Sequence, residues 1–194
     1  MASLGDYLRE KRAALLSRRE RVDAEHNVQE LRATVRAESG SGVRRIRVRD
    51  FQLISDSVPA LAGYDLGPSS PELALGALGS CLTHIFLAQA ALREVPLDAI
   101  EVEVRGKTDA RAGRPGWEHV PVHPHDVSYT VRISSRAAPE AIDALHREVE
   151  RVCPILNLLR HPQEISGQVL RRPVSSDRPM TTTSGAGAPP PVET

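Results

Sequence analysis

Only two cysteines occur in the chain, Cys81 and Cys153, separated by 72 positions. A thiol is nucleophilic as its thiolate, so the neighbours of each cysteine decide whether it reacts. Cys81 stands in ALGSCLTH (residues 77–84), with His84 three positions on. On a helix this spacing puts the imidazole on the side of the thiol, where its protonated form would lower the thiol pKa. Cys153 closes an amphipathic run and is followed by Pro154. Both cysteines also have a purely structural reading, as small buried hydrophobes. A third group, His119, His123 and His125 of HVPVHPH, offers nitrogen ligands. No carboxylate or cysteine completes a recognised ligand spacing there, and Pro121 and Pro124 keep the segment extended, so no metal site is expected. Phosphate-cradling glycine loops, nucleotide fingerprints and CxxC pairs are all missing from the sequence.

The elements that must position these residues can be read from periodicity. Residues 4–25 are strong helix formers, with Leu4, Tyr7, Leu8, Leu15 and Leu16 spaced among charges. Their basic residues, Arg9, Lys11, Arg12, Arg18, Arg19 and Arg21, alternate with Glu10, Glu20, Asp23 and Glu25, as on a solvated face. ELRATVRAE and VRRIRVRDFQLI then alternate apolar and polar residues around SGSG (residues 39–42), which predicts two antiparallel strands in a hairpin. A turn-rich loop leads to a long helix capped by Ser69 or Ser70, with Pro71 in its first turn and Glu72 favoured by the helix dipole; it should end near Arg93. Two more strands are predicted in AIEVEVRGKTDA and DVSYTVRISS, a helix in PEAIDALHREVERVC, a short helix in ILNLLR and a last strand in QEISGQVL. Beyond Pro173 the composition of Ser, Thr, Gly, Ala and Pro predicts disorder.

Composition narrows the function. Lys plus Arg and Asp plus Glu both number 25, so no net field draws the chain to nucleic acid or anionic lipid. Six aromatic residues provide no platform for stacking bases. The first 22 residues lack the apolar core of a secretory signal, which makes the cytoplasm the expected location and free thiols the expected state. LALGALGSCLTHIFLAQAAL (residues 73–92) has the length of a membrane span, but its Ser80, Thr83, His84 and Gln89 and its place between strands favour a buried central helix. Ala74, Ala77, Leu78, Cys81 and Ala88 share one stripe of this helix, with Gly76 nearby, and such small side chains admit a second helix closely.

The run DLGPSSPELALGALGSCLTH, followed after two strands by ERVCPILNLL, resembles the family of osmotically inducible protein C (OsmC) and the organic hydroperoxide resistance proteins (Ohr). The resemblance covers residues 28–172 in element order. It leaves 1–27 as an N-terminal helical extension and 173–194 as a disordered tail. It implies an α+β fold in which an antiparallel sheet wraps long central helices in an intertwined homodimer, with sites at the subunit interface. It also implies a cysteine-dependent hydroperoxide reductase in which Cys81 is peroxidatic and Cys153 resolving, with His84 a candidate thiolate partner. No bound cofactor is implied, only an external dithiol reductant.

Two positions depart from the pattern of the active relatives. Their Glu ten residues before the first Cys is replaced by Pro71, with Glu72 one residue later as a weaker substitute. Their loop arginine is missing from SDSVPALAGYDLG, which leaves His84, Arg47 or Arg49 as replacement cations. This places the chain nearer a divergent OsmC-like branch. Two other functions stay open on sequence: a non-catalytic dimer that binds a small hydrophobic or electrophilic ligand at the interface, and a partner-binding protein that uses the N-terminal helix.

Overall fold

The computed structural model describes residues 3–22 and 28–171. The chain divides into a compact unit, Met1–Pro162, and a second unit, Gln163–Thr194. The first unit contains every helix and strand described here: α1 (Leu4–Glu20), β1 (Thr34–Ala37), β2 (Arg44–Val48), β3 (Phe51–Ser55), α2 (Ser70–Arg93), β4 (Ala99–Lys107), β5 (His125–Ser134), α3 (Pro139–Val152) and α4 (Pro154–Arg160). The α+β class follows from this list. The expected tail lies outside the described residues. The helix predicted over 4–25 ends at Glu20 with Arg21 as its C-cap, and residues 23–25 lie outside the described residues.

The long helix forms where its caps dictate. Ser69 is the N-cap of α2, and Glu72 reaches back to the Ser69 N–H at 2.7 Å in a capping box, with Pro71 in the first turn. Glu94 closes the other end in the left-handed conformation (φ 56°). One face of α2 supplies Leu78, Leu82, Phe86 and Ala90 to a core completed by Leu97, Leu145, Val149, Cys153 and Leu156. Leu8 of α1 joins the same core, and Arg12 of α1 reaches Glu94 at 3.4 Å, so α1 lies along α2. By length and composition α2 is apolar enough to cross a membrane, yet it carries the centre of this core.

Two expectations need correction. The segment 43–54, predicted as one strand, is two: β2 and β3 are joined at Arg49–Asp50, where Arg49 turns the chain in the left-handed region (φ 53°). Within one chain the antiparallel strands form two small sheets, β1-β2-β3 and β4-β5. The final strand is not formed: 163–170 is coil, and Ile165 and Val169 are each 92% exposed. An apolar alternation makes a strand only when a neighbouring strand takes up its backbone groups.

The loop between β3 and α2 is organised by a buried carboxylate. Asp56 accepts hydrogen bonds from the backbone N–H groups of Ser57 (2.8 Å), Tyr64 (2.9 Å) and Leu66 (3.2 Å). Gly63 allows the loop to close: a Cβ there would lie 1.8 Å from the Ser57 carbonyl oxygen. The hydrogen bonds, led by that from Ser57, and the nearby Arg44 guanidinium hold the Asp56 pKa below its ordinary value. A depressed carboxylate stabilises the fold in full above the unfolded pKa of about 4, and the contribution is lost as pH falls through the lower folded value. Asp56→Ala is therefore expected to lower the melting temperature at pH 7 by roughly 5–10 °C. The deficit should shrink as the melts are repeated toward pH 3.

Candidate active site

Cys81 lies in the middle of α2, half-buried beside the core, and Cys153 is fully buried at the junction of α3 and α4. That junction is set by Pro154, which lacks an N–H and suits the first turn of a new helix, so Cys153 is at once the C-cap of α3 and the N-cap of α4. The fold brings the two sulfurs together: the Cys153 thiol points at Cys81 Sγ across 3.5 Å. The two are free thiols of unequal exposure. Burial pushes the Cys153 pKa up, the N–H of Leu156 pulls the other way, and the Cys81 sulfur adds to the rise. Cys153 is thus held as a protonated thiol behind the more accessible Cys81.

The other residues singled out by sequence stand elsewhere. His84 is exposed; partial desolvation lowers its pKa, and the Lys11 ammonium of α1 lowers it further. Both effects favour the neutral ring and work against a cationic role beside Cys81. His84→Ala should accordingly leave the pH profile of Cys81 alkylation unchanged, whereas a rise in the apparent thiol pKa would restore a cationic partner.

Glu72 is committed to Ser69, taking both its N–H (2.7 Å) and its hydroxyl (2.6 Å), and these bonds lower its pKa. Arg47 and Arg49 are exposed on the β2–β3 hairpin, Arg49 over the Phe51 ring at 5.1 Å. Neither is hydrogen-bonded to Cys81 among the described residues. His119 lies against Trp117, 5.7 Å between ring centroids. Among the described residues no group of three or more His, Cys, Asp or Glu is gathered as a metal would require.

Sequence reading missed a polar cluster next to Cys153. The Tyr129 hydroxyl donates to Glu150 Oε1 (2.7 Å) and lies 2.8 Å from His146 Nε2, while Arg160 donates to the same Glu150 oxygen at 2.7 Å. Burial and the Glu150 carboxylate push the Tyr129 pKa well up; the Tyr129 hydroxyl, then Arg160, hold that of Glu150 down. The only local signal was His146 and Glu150 at i,i+4 on α3, a pair that also suits a solvated face.

A family model described as OsmC-like protein matches residues 63–166, which is more than half of the chain and includes both cysteines and their helices. The chain belongs to the OsmC-like protein family. No curated protein matches it. Among solved structures, an OsmC-like protein from Mycoplasma pneumoniae superposes with a TM-score of 0.58 at 15% identity, covering 68% of this chain and 88% of the other. An organic hydroperoxide resistance protein OsmC from Legionella pneumophila gives 0.51 at 14%, covering 69% and 90%. One from Elizabethkingia anophelis, with thiocyanate bound, gives 0.51 at 13%, covering 70% and 91%. At these identities the OsmC-like chain shares the fold of those proteins, and its chemistry has to be argued from its own residues.

Proposed function

We propose that this OsmC-like chain is a cytoplasmic, homodimeric thiol peroxidase that reduces organic hydroperoxides through Cys81 and Cys153. The observation that carries the reading is the pair of sulfurs 3.5 Å apart, one accessible and one buried as the thiol. The Cys81 thiolate attacks the distal oxygen of ROOH; the O–O bond breaks, the alkoxide leaves as ROH by taking a proton from solvent, and Cys81 becomes a sulfenic acid. The Cys153 sulfur then displaces hydroxide from Cys81, which departs with the Cys153 proton as water, and a disulfide remains. An external dithiol returns both thiols, and no bound cofactor takes part. Of the four helix neighbours of Cys81 at three and four positions, Ala77, Leu78 and Ile85 are apolar and His84 is polar, a largely apolar setting that suits an alkyl substituent on the peroxide.

A second copy of the chain is part of the reading. In α2 only 28% of the most apolar window is buried, and Ala74, Gly76, Ala77 and Ser80 present small side chains on its open side. The β1-β2-β3 sheet leaves Val35, Phe51 and Leu53 at 46–63% exposure.

The reading is tested by adding one equivalent of cumene hydroperoxide to the reduced protein. Two thiols should disappear per peroxide, with a mass loss of about 2 Da and a Cys81–Cys153 crosslink in the peptide map. Persistence of both titratable thiols after prolonged exposure rules the peroxidase out.

A further inference from the structure

The turn that carries Cys153 is tied down more heavily than a connection between two helices requires. The Asn157 side chain donates from Nδ2 to three carbonyls, those of Glu150 (3.1 Å), Arg151 (3.4 Å) and Cys153 (2.8 Å). Carbonyls at the end of a helix lack intrahelical partners, and Pro154 has no N–H to offer them. Across the same turn Arg160 of α4 holds Glu150 of α3 at 2.7 Å. The Tyr129 hydroxyl anchors that carboxylate to β5, and His146, 2.8 Å from the hydroxyl, stacks on Phe86 of α2 with centroids 5.9 Å apart. Phe86 lies on the helix that bears Cys81. The polar network around the elbow is therefore linked through the His146–Phe86 stack to the helix that bears Cys81.

We infer that Asn157, Glu150 and Arg160 are positioning residues for disulfide formation, holding the α3–α4 elbow so that Cys153 meets Cys81 without rearrangement. This rests on the reading of the two cysteines as a redox pair, though not on peroxide being the oxidant. A disulfide demands narrow geometry, so an elbow free to swing spreads Cys153 over positions from which the bond cannot form. Loosening it lowers the effective concentration of one thiol at the other and leaves the first oxidation of Cys81 untouched. Nothing in the sequence marks Asn157, which stands in ILNLLR as one polar residue among leucines.

The measurement is the reduction potential of the pair in glutathione buffers, where two protein thiols and one oxidised glutathione exchange for a protein disulfide and two reduced glutathiones. Asn157→Ala and Arg160→Gln should each cost about tenfold in effective concentration, raising the potential by about 30 mV. Leu158→Ala, an exposed change on the same helix, should not move it. Should Asn157→Ala fail to fold, Arg160→Gln decides alone, because its side chain is 47% exposed and its loss leaves the core intact. An unchanged potential in the folded variants overturns the inference. A wild type that equilibrates with glutathione but ignores hydroperoxide overturns the peroxidase reading and leaves the positioning result standing. A wild type that consumes hydroperoxide while the variants keep its potential overturns the positioning alone.

Discussion

Cys81→Ser is expected to lower kcat/KM for an alkyl hydroperoxide by at least about 1,000-fold, because it removes the more accessible of the two thiols and leaves Cys153 buried as a thiol. Cys153→Ser should behave differently. Its first turnover proceeds at the wild-type rate, and the sulfenic acid, with no resolving thiol 3.5 Å away, advances to the sulfinic acid under excess peroxide. Stopped-flow consumption combined with intact-mass measurement separates the two variants. The wild type adds a pH signature. Since burial raises the Cys153 pKa, its thiolate fraction keeps growing as pH rises past the ordinary thiol range of about 8–9. The disulfide-forming step should therefore accelerate with pH beyond the point where a free thiol would level off. Equal loss of the first step in both serine variants would contradict the division of labour. A Cys81→Ser protein that still consumes peroxide would remove the nucleophile assigned here and favour the ligand-binding alternative.

Much of the scaffold around this pair was legible because its signals are local. Ser69, Pro71 and Glu72 write the start of α2 within four residues, and Pro139 and Pro154 mark the first turns of α3 and α4. The turn at Arg49–Asp50 was hidden because the alternation of Ile46, Val48 and Leu53 with arginines runs on either side of it and no glycine announces a positive φ. The alternation in 163–170 misled for the opposite reason: its pattern is strand-like, but pairing is a tertiary property. At the site, the two cysteines were found by type and family spacing, whereas their 3.5 Å separation is a product of packing. His84 had the right helical offset, but an offset does not reveal the desolvation and the Lys11 charge that lower its pKa. The cluster of Tyr129, His146, Glu150 and Arg160 draws on three elements, so no window of sequence contains it.

The second large effect is expected at the small sheet, far along the sequence from either cysteine. Register places Val35, Ile46 and Leu53 side by side, with Ala37, Val48 and Phe51 on the same face and Arg44 and Ser55 at its end, while Arg36, Arg45, Arg47 and Gln52 share the other with Ile54. A three-stranded sheet with one apolar face is marginal unless that face is covered, and each large side chain removed from water there is worth about 1.5–3 kcal/mol. Under the proposed coverage by a second copy, Leu53→Asp is costly, since it forces a carboxylate into the contact. The dimer dissociation constant should rise at least about 100-fold, measured by sedimentation equilibrium. Gln52→Asp, one residue away on the arginine face, is the control and should leave association unchanged. The same variant reports on catalysis. Among the described residues no cation is hydrogen-bonded to Cys81, so a thiolate activated at the subunit interface loses its activation on dissociation. Peroxide consumption by Leu53→Asp should fall together with the dimer fraction as the protein is diluted. A monomer that keeps the full rate would place every activating group within a single chain, and a dimer indifferent to Leu53→Asp would assign the apolar face of the sheet to some other cover.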